Sequence, residues 1–415
     1  MSNKFLKAVS PTLRTVALTS SAMLVAGAAA SASAATLQVG PTLQYKTPCK
    51  AFAVAKDGDT IEIAGNTTYS GDVCGIYRHN LVIRGVNGRP KINANGLAAL
   101  RKGTWVVVGN NISVDNVEMY GSKVADRNGA ALRLEGTGFT LTRSFLHDNE
   151  NGILSGANLN SDIRIETTEF GRNGYGDGRS HNLYIGNVRS LYFRYNFSHD
   201  AHVGHNLKSR AQTNTILYNR FSSTRAGEVG TTGAARPSYE IDLPNAGTSY
   251  IIGNIIMQPA AHNNPGMVSY GAEGASNPGH DLYVVNNTFL NEDTARGTFV
   301  AVGGTVTKPA LFQNNLLSGT GTDINQASAI KLSNFRSASP GFVNRAAYDL
   351  RPTDTLVKDY ATVAGVSPTG VSLLAQASYK HIAFGEVRTP LGLLDIGAFE
   401  AAIPVISATS AVRSK

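Results

Sequence analysis

The sequence predicts an all-β fold, a single-stranded right-handed parallel β-helix (solenoid) with an N-terminal and a C-terminal cap. Three observations carry this expectation. The first is a recurring phrase, a short apolar strand followed by Asn or another marker residue. It reads Ile112-Ser-Val114 before Val117, Phe139-Thr-Leu141 before Ser144, Ile163-Arg-Ile165 before Thr168, and Leu191-Tyr-Phe193 before Asn196. It continues as Ile216-Leu-Tyr218 before Asn219, Tyr250-Ile-Ile252 before Asn254, Tyr283-Val-Val285 before Asn287, and Leu311-Phe312 before Asn315. Successive markers lie 23 to 35 residues apart, and a fixed phrase at irregular spacing is what stacked coils with variable loops produce. Second, the connections lack helical periodicity, which excludes a doubly wound sheet. Third, only 16% of the 415 residues are charged and 43 are Gly, a composition that leans toward strands and turns. The apolar fraction of 42% argues against disorder, and two cysteines cannot build a disulfide miniprotein or a cysteine-rich zinc module.

The elements follow in chain order. Residues 1–34 read as a secretory signal, with Lys4, Lys7 and Arg14 ahead of an apolar run and Ala32-Ser33-Ala34 as the cleavage motif. No other stretch approaches the run of about 18 apolar residues that a membrane span requires. The expected product is a secreted or periplasmic monomer without a membrane span. Setting aside the three positive residues of the signal leaves +5 of the formal +8, which fits an anionic partner. That partner is expected to be an acidic polysaccharide rather than nucleic acid.

Residues 35–80 read as the N-terminal cap, stapled by a disulfide between Cys49 and Cys74, the only cysteines of a chain bound for an oxidising compartment. Residues 81–335 form the solenoid, roughly nine or ten coils that replace the two or three domains the length alone would suggest. In that geometry Asn196, Asn219, Asn254, Asn287 and Asn315 fall in one column, where left-handed Asn residues pass side-chain hydrogen bonds from coil to coil. Residues 336–400, with Ser339-Pro-Gly-Phe-Val343 and Leu394-Asp-Ile-Gly-Ala-Phe-Glu400, read as a closing segment, and residues 401–415 as a loose tail.

A second strand in each coil carries the candidate chemistry, because alternation assigns its outward positions. In Asn182-Leu-Tyr184-Ile the apolar residues point in, so Asn182 and Tyr184 point out. The next coils place Asn206, Lys208 and Arg210, then Glu240 and Asp242, on the same face, with Ser269 beside them. An earlier coil exposes Arg133 and Glu135. His181 and His205 immediately precede the two Asn residues, and His199 and His202 lie between them. Coils one strand spacing apart, about 4.8 Å, would gather these side chains into one polar patch.

Cleaving a uronic-acid chain by β-elimination needs a cation opposite the sugar carboxylate, a base for the neighbouring proton and an acid at the leaving oxygen. Arg210 or a bound cation serves the first need, since guanidinium matches carboxylate as a bidentate partner. Lys208, Tyr184, His181 and His205 can each serve as base or acid, and the residues alone do not divide these roles. The patch resembles that of the chondroitinase B and alginate lyase branch of β-helix polysaccharide lyases, and the closing segment is similar to that of many exported β-helix proteins. The resemblance implies Lys208 as base and Arg210 as the partner arginine, although here both sit on one strand. It also implies a calcium ion, for which Glu240 and Asp242 offer clustered oxygens. The substrate-binding set expected around these is Asn182, Asn206, Arg133, Glu240, Asp242 and Tyr270.

Three other readings stay open. Glu240 and Asp242, about 7 Å apart on a strand, fall in the range of an inverting glycoside hydrolase. A uronan C5-epimerase shares the lyase chemistry up to the return of the proton. A non-catalytic glycan-binding surface protein would use Tyr184, Tyr192, Tyr195 and Tyr270 as stacking rings.

Overall fold

In the computed structural model, residues 34–223, 236–347 and 349–401 are described. The expected secretory signal, apart from Ala34, and almost all of the expected C-terminal tail lie outside these residues. Three parallel sheets of 12, 11 and 10 strands extend from Thr36 to Ser337, and every strand pair in them is parallel. We call them sheet 1, sheet 2 and sheet 3 in that order. One coil shows the path: Ile112–Asp115 in sheet 1, Glu118–Tyr120 in sheet 2, Ala130–Leu134 in sheet 3, then Phe139–Thr142 back in sheet 1 beside its starting strand. Parallel crossovers of this kind are almost always right-handed.

Alternation builds the interior. In sheet 1 the inward positions are residues such as Ile112, Val114, Leu141 and Ile165, all essentially inaccessible. Phe170, Phe193 and Phe221 stack through adjoining coils with centroids 6.2 and 5.9 Å apart. The corner between sheets 1 and 2 is a tight turn, and here the Asn column appears as expected. The Asn196 N–H donates to Asn219 Oδ1 at 2.8 Å, Asn219 to Asn254 at 2.9 Å, Asn254 to Asn287 at 2.9 Å, Asn287 to Asn315 at 3.0 Å and Asn315 to Asn334 at 2.9 Å. Each Nδ2 also donates back to a carbonyl of the preceding coil, such as Phe193 O from Asn219 and Ile216 O from Asn254. One detail differs from expectation: the left-handed residue is the one before each Asn, namely Tyr195, Tyr218, Gly253, Asn286 and Asn314. The Asn itself must keep the geometry that aims its side chain along the column.

The disulfide between Cys49 and Cys74 is present. It ties the helix Pro48–Phe52 to the first strand of sheet 3, Cys74–Ile76, and Phe52 packs edge-on against the buried Trp105 at 5.2 Å. With the cysteines 25 positions apart in the sequence, the bridge stabilises the fold by about 3–4 kcal/mol in the chain-entropy picture. Residues 35–80 already contribute strands to all three sheets.

Beyond Ser337, where the last strand of sheet 2 ends, the described residues up to Glu400 run back along the flank at the corner between sheets 1 and 2. The Gln376 N–H donates to Tyr218 Oη at 3.0 Å, Asn286 Nδ2 to Asp395 O at 3.0 Å and the Ala398 N–H to Thr288 Oγ1 at 2.9 Å. Arg388, buried beneath this strap, pairs with Glu400 and donates to the carbonyls of Asp395, Gly397 and Phe399. The strap therefore leaves the face of sheet 3 uncovered by its own contacts.

Candidate functional site on sheet 3

Strand register places the candidate residues in one row. Across sheet 3, Arg133 pairs with Leu154, Leu154 with Tyr184, Tyr184 with Lys208, Lys208 with Asp242, Asp242 with Ser269 and Ser269 with Ala301. Inward neighbours such as Leu183, Ile185, Leu207 and Ile241 are fully buried, so alternation turns Tyr184, Lys208 and Asp242 to the outer side of the sheet. Arg210, just past the strand Leu207–Ser209, reaches the same place.

The side chains are interlocked. Lys208 Nζ lies 3.2 Å from Asp242 Oδ2 and donates to Glu273 Oε1 at 2.9 Å. Arg210 donates through Nη2 to Glu273 Oε2 at 2.6 Å, through Nε to Tyr184 Oη at 2.8 Å and through Nη1 to Asn245 Oδ1. Lys208 and Arg210 also approach the Tyr184 ring, at 5.6 and 5.7 Å from its centroid. One carboxylate thus bridges both cations. Glu273 had no signal in the sequence, because it lies in the loop after Gly266–Tyr270, 65 and 63 residues from Lys208 and Arg210.

His181 and His205 stack face to face at 4.6 Å. The His205 N–H donates to His181 Nδ1 and the Tyr239 N–H to His205 Nδ1, both at 3.0 Å. Each Nδ1 is therefore an acceptor, which leaves the proton of the neutral ring on Nε2. Burial pushes both rings well below the usual histidine range, helped for His181 by His205 and for both by Lys208, with His205 falling to about 3. His205 Nε2 lies 3.5 Å from Asp242 Oδ2. Both imidazoles are thus neutral rings whose Nδ1 lone pair is already taken, with His205 Nε2 facing Asp242, so neither is placed as a base. Burial pushes the Asp242 carboxyl up, against the pull of Lys208. Burial also raises Glu273, but the hydrogen bonds from Arg210 and Lys208 outweigh it and hold the carboxyl below its ordinary value.

Four expected site residues are placed elsewhere. Asn182 and Asn206 are fully buried in a second ladder at the corner between sheets 2 and 3. Asn173 donates to Asn182 at 2.9 Å, Asn182 to Asn206 at 2.8 Å and Asn206 to Glu240. Glu240 is likewise inaccessible. All three precede their strands, where the turning chain breaks alternation. Tyr270 is inward and buried, its hydroxyl donating to Gly247 O at 2.6 Å. Consequently Glu240 and Asp242 do not share a face, so the pair matches neither the two groove carboxylates of an inverting hydrolase nor a calcium site. Asp242 itself is taken up by Lys208 and His205, and among the described residues no group of three or more His, Cys, Asp or Glu side chains could hold a metal.

Arg133 occupies the row three coils from Lys208, about 14 Å away at the usual strand spacing, paired with Glu135 at 2.8 Å alongside Lys102. His199 is buried in sheet 2 between Glu169 and Asp200, away from the row. A cleft of about 510 Å³ on another face is lined by Arg143, Arg194, Tyr195 and Phe384. Its Arg143 pairs with Asp115, and its Arg194 shares Glu166 with Arg164; the row of Tyr184, Lys208 and Asp242 lies on sheet 3 instead.

No family model matches the chain, and no curated protein matches it in sequence. Among solved structures it is similar to pectate lyase Pel9A, with a TM-score of 0.55 at 15% identity over 89% of this chain and 96% of that one. The chain is a right-handed parallel β-helix. Weaker likenesses are an alginate lyase from Paenibacillus sp. str. FPU-7, TM-score 0.35 at 14% identity over 73% of this chain and 99% of that one, and a pectin methylesterase, TM-score 0.34 at 12% identity over 74% and 91%. Among the described residues no helix is long and apolar enough to cross a membrane.

Proposed function

We propose that the protein is an exported polysaccharide lyase that cleaves a uronic-acid-containing polymer by β-elimination on the face of sheet 3. The observation that carries this reading is the Lys208–Arg210 pair. Both cations converge on one carboxylate, that of Glu273, with both of its oxygens engaged. A sugar carboxylate fits the same cradle. The disulfide supports export, since such bonds persist in oxidising compartments.

In this scheme Arg210 holds the uronate carboxylate and stabilises the charge that develops as the adjacent carbon is deprotonated. Lys208 takes that proton. Its own proton has a place to go in Asp242, 3.2 Å away, whose burial already favours the protonated carboxyl. The electron pair left on carbon forms the new double bond, and the glycosidic carbon–oxygen bond breaks. Tyr184, oriented by Arg210 Nε at 2.8 Å, donates its proton to the departing oxygen. His205, with Nε2 3.5 Å from Asp242 Oδ2, helps to hold that carboxyl beside Lys208. Arg133 lies along the same row for a more distant sugar unit.

The test is incubation with a panel of uronic-acid polymers, following unsaturated, ultraviolet-absorbing ends. Lysis produces them. Saturated reducing ends would mark hydrolysis, an altered sugar configuration at constant chain length would mark epimerisation, and binding without change would mark a glycan-binding protein.

A further inference from the structure

The Lys208–Arg210 cradle is already filled in the ligand-free protein, and the residue that fills it is built to leave. Glu273 sits on the turn between Gly271 and Gly274, both left-handed at φ 73° and 94°. Its backbone is held, the N–H donating to Pro244 O at 3.0 Å, so release needs only side-chain rotation. The Glu273 side chain is 48% exposed, whereas Lys208 and Arg210 are 11% and 23% exposed. The carboxylate can return to water at little cost, because exposed ion pairs contribute little net stability. The two cations cannot, because a largely buried charge stripped of its partner is expensive.

We infer that Glu273 is a resident stand-in for the substrate carboxylate, seated between Lys208 and Arg210 in the empty enzyme and displaced when a uronate carboxylate arrives. The exchange conserves charge: one carboxylate leaves the cradle as another enters. A neutral sugar unit offers nothing in return and leaves Glu273 in place. The inference rests on the uronate reading for its ligand, but the seat itself can be tested without a sugar.

The experiment uses the full mature chain with E273A, and with E273Q as a variant that keeps the shape and loses the charge. On whichever uronan the wild type cleaves, removing the competitor lowers KM by about two- to fivefold, the range an exposed ion pair can contribute, and kcat/KM rises with it. In parallel, sodium acetate is titrated against sodium chloride at equal ionic strength and the melting temperature followed. Acetate raises the melting temperature of E273A beyond that of the wild type, because the vacated cradle accepts it. Loss of kcat by about tenfold with KM unchanged would overturn the inference and make Glu273 a positioning residue for Lys208. An acetate response no larger in E273A than in wild type would also overturn it. A wild type inactive on every uronan, with an acetate-responsive E273A, would overturn the lyase reading and leave the carboxylate seat standing.

Discussion

Replacing Asn254 by Ala tests whether the Asn column holds the coils together. Asn254 is fully buried, and its Oδ1 accepts both the backbone N–H and the Nδ2 of Asn219 at 2.9 Å. Its Nδ2 donates to Ile216 O at 2.9 Å and to Asn287 Oδ1 at 3.0 Å. The substitution orphans the buried Asn219 N–H and weakens the satisfaction of Ile216 O. A buried donor left unpaired costs about 1–3 kcal/mol and each lost bond about 1 kcal/mol, giving an expected loss of roughly 3–5 kcal/mol. Asn160→Ala, on an exposed position, should stay within about 0.5 kcal/mol. Urea unfolding of both variants against the wild type reads the difference. A loss below about 1 kcal/mol for Asn254→Ala, no larger than for Asn160→Ala, would refute a structural role for the column.

Two further predictions concern the site. Lys208→Ala should lower kcat by about 10²- to 10⁴-fold on the polymer the wild type cleaves, the usual contribution of a positioned base, and full activity in steady-state assays would remove Lys208 from that role. The pH dependence of stability follows from His205, whose folded value of about 3 lies below the ordinary 6.5. Below 6.5 the unfolded chain binds a proton that the folded ring refuses, so this contribution is present above 6.5 and is lost as pH falls toward 3, by up to about 1.4 kcal/mol per pH unit. His205→Gln should therefore flatten the decline in urea-derived stability across that window. An unchanged slope would mean that the ring is protonated in place, contrary to its Tyr239 hydrogen bond.

Much of this architecture was readable because two physical periods are printed in the sequence. The coil repeat left a marker at every tight corner, so the column from Asn196 to Asn315 could be aligned before any geometry was known. The alternation of strand side chains then put Tyr184, Lys208 and Asp242 on one face, and the register pairs them in that order. Alternation fails where the chain turns. Asn182, Asn206 and Glu240 each stand one residue ahead of their strands, and the corner bends their side chains inward into a second ladder. Tyr270 obeyed the alternation rule, but its ring belongs to the core face, where its hydroxyl finds Gly247 O. Glu273 was invisible for the opposite reason. It sits on a loop with no period, and only the closed coil brings it to Lys208 and Arg210.

That unforeseen contact sharpens the meaning of the positive charge. Lys208 and Arg210 are balanced by Asp242 and Glu273, so in the proposed function this face is a seat for one carboxylate rather than a broadly cationic surface. Recognition then depends on the carboxylate itself. The most direct measurement compares each uronan with its carboxyl-reduced counterpart, in which every acid group has become a neutral hydroxymethyl, following unsaturated ends over time with the wild-type protein. The account predicts that ends accumulate on one or more uronans and on none of the reduced polymers. Equal cleavage of a uronan and its reduced form, or saturated ends from both, would contradict it.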